Sequence, residues 1–328
     1  MTLANAMILV DQTAVPLTLP DILQDFHIGT QKAQWVLSGS LLALTALLVL
    51  GGRLADAFGR KRIFLIGIVT FTAASAVGGL APDYWVPIAA RVVQGAGGAL
   101  VLPATVAIVS SVYPPEARGR ALGTMGGVAA VAGALGPTIG GVLTSAVSWR
   151  AVLLVNVPLA IVCVLLTRRG VTDGRGESAR MDLSGAVLLG VVLVGLVLGL
   201  SQTQQSSWGS AAVIVPLVAC VVAGVALVFR ERRAADPLID FSLLRGNRNY
   251  VGATVSQGLA GMIEMGTAVI FPLLLILNLE MDPSLAGLAL IPLTLPMVLG
   301  ASLAGRWYDG AGGRAPPRDP APPRRPPL

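Results

Sequence analysis

Three ionisable side chains stand inside long apolar stretches of this 328-residue chain: Asp11, Arg91 and Glu264. A carboxyl group surrounded by hydrocarbon favours its neutral form, and a nearby cation favours the carboxylate. A site that alternately wets and dries can therefore load and release a proton. Ionisable groups at membrane depth mark ion pathways and relays, and an unpaired buried charge costs several kcal/mol. Asp11 and Arg91 are thus expected to pair or to share a water-filled cavity. The bland alternatives are Asp11 as a packing residue and Arg91 snorkelling to the surface. Glu264, with Gln257 seven residues earlier on the same helical face, is balanced between a second protonation site, a contact for a cationic substrate and a protonated acid packed between helices.

The chain that must position these groups is 54% hydrophobic and only 12% charged, with a mean hydropathy of +0.77. Soluble domains carry about 25% charged residues, so the solvent for most of this chain is lipid. At about 20 apolar residues per span, ten spans are read: 2–20, 34–54, 63–81, 85–110, 121–146, 151–167, 182–201, 210–229, 250–277 and 285–305. Asp11 then lies about 15 Å into the first helix, and Arg91 roughly 9 Å below Trp85. Pro16 removes the backbone bond to the Gln12 carbonyl and predicts a kink beside the acid.

The net charge of +6 does not point to nucleic acid, because a nucleic-acid binder gathers its cations on one folded face. Here they sit in short links. The second, fourth, sixth and eighth connections hold Arg53, Arg60, Lys61 and Arg62, then Arg118 and Arg120, then Arg168, Arg169, Arg175 and Arg180, then Arg230, Arg232, Arg233, Arg245 and Arg248. The odd connections hold Lys32 and Arg150. The positive-inside rule places the N-terminus in the cytoplasm of a multi-pass protein of the cell membrane. Trp35, Tyr84, Trp85, Trp149 and Trp208 fall at outer ends, where an aromatic belt is expected. The first residues lack a basic n-region and the first apolar stretch carries Asp11, so no cleaved signal peptide is read.

Soluble-enzyme chemistry finds little purchase. His27 is the single histidine, and no His-Glu-x-x-His, Cys-x-x-Cys or nucleophile elbow occurs. Cys163 and Cys220 lie in apolar runs as small hydrophobes. The expectation is no enzyme, no cofactor and no metal. The glycine series Gly95, Gly98, Gly133, Gly136, Gly140 and Gly141 follows no strand and precedes no Lys-Ser or Lys-Thr. Close helix packing accounts for it, with Pro137 adding a bend.

A repeat joins Gly52-Arg53-Leu54-Ala55-Asp56-Ala57-Phe58-Gly59-Arg60 to Gly305-Arg306-Trp307-Tyr308-Asp309-Gly310-Ala311-Gly312-Gly313-Arg314, each after a span, with Gly, Arg, Asp and Gly at the same offsets. Parallel repeats of a six-span half mark one class of secondary transporter. The organisation expected is therefore 1–167 as a six-helix half, 168–249 as a two-helix linker and 250–314 as the start of a second half. Residues 315–328, with seven prolines and three arginines, are read as a tail that cannot cross a membrane, with a shifted reading frame as its suggested origin.

These residues resemble the major facilitator superfamily, and within it the fourteen-span drug:proton antiporters. Gly52, Asp56, Gly59, Arg60 and Arg62 are similar to its signature between spans two and three. Arg91, Gln94, Gly95 and Gly98 resemble its span-four motif, and Gly133, Gly136, Pro137, Gly140 and Gly141 its antiporter motif in span five. Leu9, Asp11, Thr13 and Pro20 resemble the span-one motif of the fourteen-span group, which usually has an apolar residue at the position of Gln12 and an asparagine near Pro16. Trp149, Arg150, Asn156 and Pro158 resemble its span-six motif. The resemblance implies an all-α membrane protein, a major facilitator type helical bundle with about ten transmembrane helices present and spans eleven to fourteen missing. It implies efflux of small lipophilic or cationic substrates in exchange for protons, by a monomer among membrane lipids. Asp11 would accept the proton, Arg91 would modulate it, the Asp56 and Arg60 loop would gate, and the Gly136-Pro137 helix would bend. Two other readings stay open: a facilitator of a sugar or other metabolite, and a truncated fragment or assembly partner that transports nothing.

Overall fold

The computed structural model describes residues 1–171, 183–203, 206–233 and 248–279, together with Met281, Leu285, Ala289 and Pro292. In a bilayer every backbone polar group must be satisfied internally, which leaves a chain of this composition only helices or a closed barrel. The regular elements among the described residues are helices: α1 (Thr2–Ala14), a 3₁₀ turn (Val15–Thr18), α2 (Leu19–Phe26), α3 (Thr30–Phe58), α4 (Arg60–Gly79), α5 (Trp85–Val112), α6 (Pro115–Ala146), α7 (Trp149–Leu154), α8 (Asn156–Gly170), α9 (Leu183–Gln202), α10 (Ala211–Glu231) and α11 (Arg248–Leu279). Eight stretches of the described residues are long and apolar enough to cross a membrane, with α1 and α2 counting as one and α7 and α8 as another. They correspond to the first eight expected spans, and α11 covers the ninth. Apart from Leu285, Ala289 and Pro292, the tenth expected span lies outside the described residues, as do the second copy of the repeat and the 315–328 tail.

Local chemistry explains the interruptions. Pro16 sits in the 3₁₀ turn that parts α1 from α2, and Pro20 opens α2 where a missing N–H costs nothing. Between α3 and α4 the chain turns at Gly59, whose φ of 98° is a conformation that an L side chain rarely adopts. α3 runs past its expected end at residue 54, keeping Asp56 and Phe58 helical.

Spans one to six pack as one bundle: α1 against α6, α5 against both α3 and α4, and α4 against α7 and α8. α9 lies on α3 and pairs with α10, so the two helices of the expected linker dock beside span two. α10 turns Val215, Val218, Val222 and Val225 outward at helical spacing, as a lipid-facing surface requires.

Two apolar clusters fill the bundle. One joins Met7, Ile8, Phe64, Ile68, Phe71, Val101, Ile108 and Cys163. The second joins Ala14, Val15, Ile22, Val36, Trp149, Val152 and Leu153. Along α1 the first ends at Ile8 and the second begins at Ala14, so Asp11 falls in the polar layer between them.

Candidate functional site

Asp11, Ser75, Arg91, Gln94 and Asn156 are each 1% exposed or less, and they come from α1, α4, α5 and α8. Arg91 Nη1 donates to Asp11 Oδ2 in a direct buried ion pair. The same nitrogen donates to Gln94 Oε1 at 2.8 Å, and Arg91 Nε donates to the Val36 carbonyl at 3.0 Å. The expected pairing of Asp11 with Arg91 is therefore present, and the snorkelling alternative is overturned. Pairing and hydrogen bonds offset the desolvation of both charges, where reaching the surface would leave the carboxylate unpaired.

Asp11 Oδ1 accepts two further bonds, from Gln94 Nε2 and from Asn156 Nδ2, each at 2.9 Å. Both amides also donate to Ser75 Oγ, at 3.2 and 2.9 Å, and the Ser75 hydroxyl donates to the Leu153 carbonyl at 2.8 Å. The orientation of Gln94 follows from its neighbours: arginine only donates and a carboxylate only accepts, so Oε1 must face Arg91 and Nε2 must face Asp11. Every group that touches Asp11 is consequently a donor. A proton added to this carboxyl finds no free acceptor in the surrounding shell, because the nearby Ser75 oxygen already accepts from both amides. Protonation therefore requires that at least one bond to another helix be given up.

Two members of this shell escape a reading by sequence. Ser75 is a small polar residue in an apolar span, a type common in membrane helices. Asn156 was visible only as part of a motif. A polar amide inside an apolar run was the available signal, yet nothing local shows which helix it faces.

The α6 residues lie as the resemblance implies. Gly133, Gly136, Pro137, Gly140 and Gly141 are all buried. Thr13 Oγ1 donates to the Gly133 carbonyl at 2.8 Å. A Cβ at Gly136 would stand 1.8 Å from Thr13 Oγ1, and one at Gly140 would stand 2.8 Å from the Ala14 carbonyl oxygen. The helix carrying Asp11 is thereby held at backbone distance from α6. Gly136→Val is expected to force the pair apart and to lower stability by about 1–3 kcal/mol, the usual range for overpacking. Thermal unfolding in detergent checks this, and an unchanged midpoint would contradict the close approach.

The signature loop closes the arginine-rich end. Arg60 pairs with Asp56 at 3.3 Å, both partly exposed, and its Nη1 donates to the Ala107 carbonyl of α5 at 3.3 Å. Gly52 packs against Pro103 of α5, while Arg62 is exposed. At the same end a cavity of about 560 Å³ is lined by Met1, Ile108, Tyr113, Arg120, Met125 and Val171 among others. Glu264 lies in α11, but its side chain is outside the described residues.

At the opposite end one expectation fails. Trp85 and Trp208 are 63% and 68% exposed, as a belt requires, whereas Trp149 is 3% exposed. Its ring stacks edge-on to Phe26 at 5.7 Å and under Arg150 at 4.5 Å, and its Nε1 donates to Asp25 at 3.1 Å. Arg150 also pairs with Asp25 at 2.6 Å. A polar partner for the indole N–H within the protein removes the reason to sit at the water interface.

A bundle of membrane-crossing helices that seals an ion pair between apolar layers defines a multi-pass membrane protein. The sequence profile of the Major Facilitator Superfamily matches residues 1–317, and the chain belongs to that family. It is similar to the puromycin resistance protein pur8 of Streptomyces alboniger, with 36% identity covering 92% of this chain and 60% of that protein. It is similar also to the cephamycin export protein CmcT of Amycolatopsis lactamdurans, with 38% identity covering 90% of this chain and 62% of that protein. The chain thus spans about 60% of the length of these relatives. In fold it is similar to a peptide transporter, POT, solved in complex with sulfate: TM-score 0.59 at 15% identity, covering 96% of this chain and 69% of that one.

Proposed function

We propose that this chain forms the proton-coupling part of an exporter that moves lipophilic, often cationic, compounds by alternating access in exchange for protons. The observation that carries the reading is the shell of Asp11, in which three donors and no acceptor meet one carboxylate between two apolar layers. Proton uptake there weakens the tie of α1 to α5 or α8, and proton loss restores it. A ligand shifts a two-state equilibrium only through its different interaction energy with the two states, and this exchange of bonds supplies such a difference.

The other roles follow. The N-terminus lies in the cytoplasm, Asp56 and Arg60 gate the cytoplasmic end against α5, and the contact of α6 with α1 at Gly136 and Pro137 is the pivot. Glu264 in α11 adds a second carboxyl for protons or cationic cargo. The export and resistance functions named for pur8 and CmcT support an antibiotic-like cargo.

The test is flux in proteoliposomes holding the chain. An imposed pH gradient is expected to drive accumulation of a lipophilic cation, an uncoupler to collapse it, and sugars to leave it unaffected in a competition panel. Accumulation that ignores the gradient, or that sugars suppress, would reject the reading.

A further inference from the structure

Beside Asp11 the structure carries a polar group that the coupling network does not use. Gln12 is 9% exposed, and its Nε2 donates to Ser40 Oγ of α3 at 3.2 Å. Its Oε1 is buried and has no hydrogen-bond partner among the described residues. A buried amide oxygen left without a donor forfeits the hydrogen bond it would have in water, so a native site that keeps one calls for an occupant or a reason. Asn5, also in α1, presents a second such oxygen, Oδ1. Seven residues separate the two, which puts them on one face of the helix about two turns apart. α1 packs on α6 and α3 packs on α5, but α1 and α3 make little direct contact. The Gln12 side chain therefore bridges a seam between spans one and two, one residue along α1 from Asp11. An apolar residue at this position would pack that seam without any polar debt.

We infer that Gln12 Oε1 is a recognition group for cargo: it accepts a hydrogen bond from an N–H or O–H of the exported compound, and Asn5 Oδ1 offers the same contact nearer the arginine-rich end. The inference rests on the export reading and adds a substrate class to it, cations that carry hydrogen-bond donors in preference to those that carry none. The amide is neutral, so it selects for donors without attracting cations of every kind. Sites built to hydrogen-bond a ligand group discriminate strongly against analogues lacking it, because their buried polar atoms are then left bare.

The test uses the purified 328-residue chain and two matched probes, naphthylethylammonium and its quaternary trimethyl analogue, which share charge and ring but differ in N–H donors. Equilibrium dialysis is expected to show tighter binding of the ammonium by the wild-type chain. Gln12→Leu should weaken the ammonium by about tenfold, the scale of one hydrogen bond to a charged group, and leave the quaternary probe unchanged. Gln12→Glu, which keeps an acceptor, should retain the ammonium and covers the case in which the leucine variant fails to fold. Equal loss of both probes, or no loss of either, would overturn the inference while leaving export intact. Water offers the same donor chemistry. A Gln12→Leu chain that keeps its ammonium affinity yet takes up protons more slowly after a pH jump would assign the oxygen to water and overturn its assignment to cargo. A wild-type chain that binds neither probe would remove the export reading itself, and this inference with it.

Discussion

Asp11→Asn is expected to abolish the release of protons that accompanies cargo binding by the folded chain, and to lower its stability, because the buried Arg91 loses its counter-charge. Asparagine has nearly the shape of the protonated acid and cannot ionise. Its carbonyl oxygen can take the bonds from Gln94 and Asn156, which reach Oδ1 in the native side chain. Its NH₂ then faces Arg91 Nη1, donor against donor, so the bond from Arg91 to α1 is lost as it would be on protonation, while that from Gln94 stays. The variant therefore stands for the protonated state. Cargo affinity, which in the wild type should follow the protonation of Asp11, should lose that dependence on pH in the variant. Measurement is direct: cargo is added to weakly buffered protein and the pH change recorded, with dialysis at several pH values alongside. Proton release equal to wild type would remove Asp11 from the coupling step.

The second large effect is on stability. Arg91→Leu deletes the bonds to Asp11, Gln94 and the Val36 carbonyl together. It leaves a carboxylate that is 1% exposed without its counter-charge, and breaking a buried pair from one side costs about 3–5 kcal/mol. Arg91→Lys should recover only part of this, because a single ammonium cannot replace a planar fork that reaches three acceptors on α1, α3 and α5. The double variant Asp11→Asn with Arg91→Leu should be more stable than Arg91→Leu alone, since the stranded charge is gone. A double-mutant cycle in detergent, followed by thermal or chemical unfolding, gives the coupling. Additive losses would mean that the two side chains do not act as a pair.

Much of this architecture was legible in the sequence because a bilayer imposes simple rules. Apolar length sets a span and short polar links set its ends, so the helices fall where the apolar runs do. Asp11 and Arg91 declared their pairing through cost alone: a lone charge at that depth needs a partner, and each was the nearest candidate for the other. Pro16 and Gly59 spoke through backbone chemistry, one as the 3₁₀ turn and the other as a positive φ. Trp149 misled, because an indole at the end of a span fits an interface equally well, and only Asp25 and Arg150 beside it decide for the interior.

What the residues settled by themselves was depth: which side chains share a level in the membrane, and that charges at that level must be satisfied. Which helices stand side by side was decided by the tertiary structure. Lipid tails are as apolar as leucine, so hydrophobicity gives a span little preference for a neighbouring helix over the bilayer. Lateral order comes instead from shape and polar contact between residues far apart in the chain, such as Gly136 against Thr13 or Asn156 against both Asp11 and Ser75. For that reason the ion pair could be foreseen from its energetic necessity, whereas the donors that surround it, and the unanswered oxygen of Gln12 next to it, emerge only when the helices are in place.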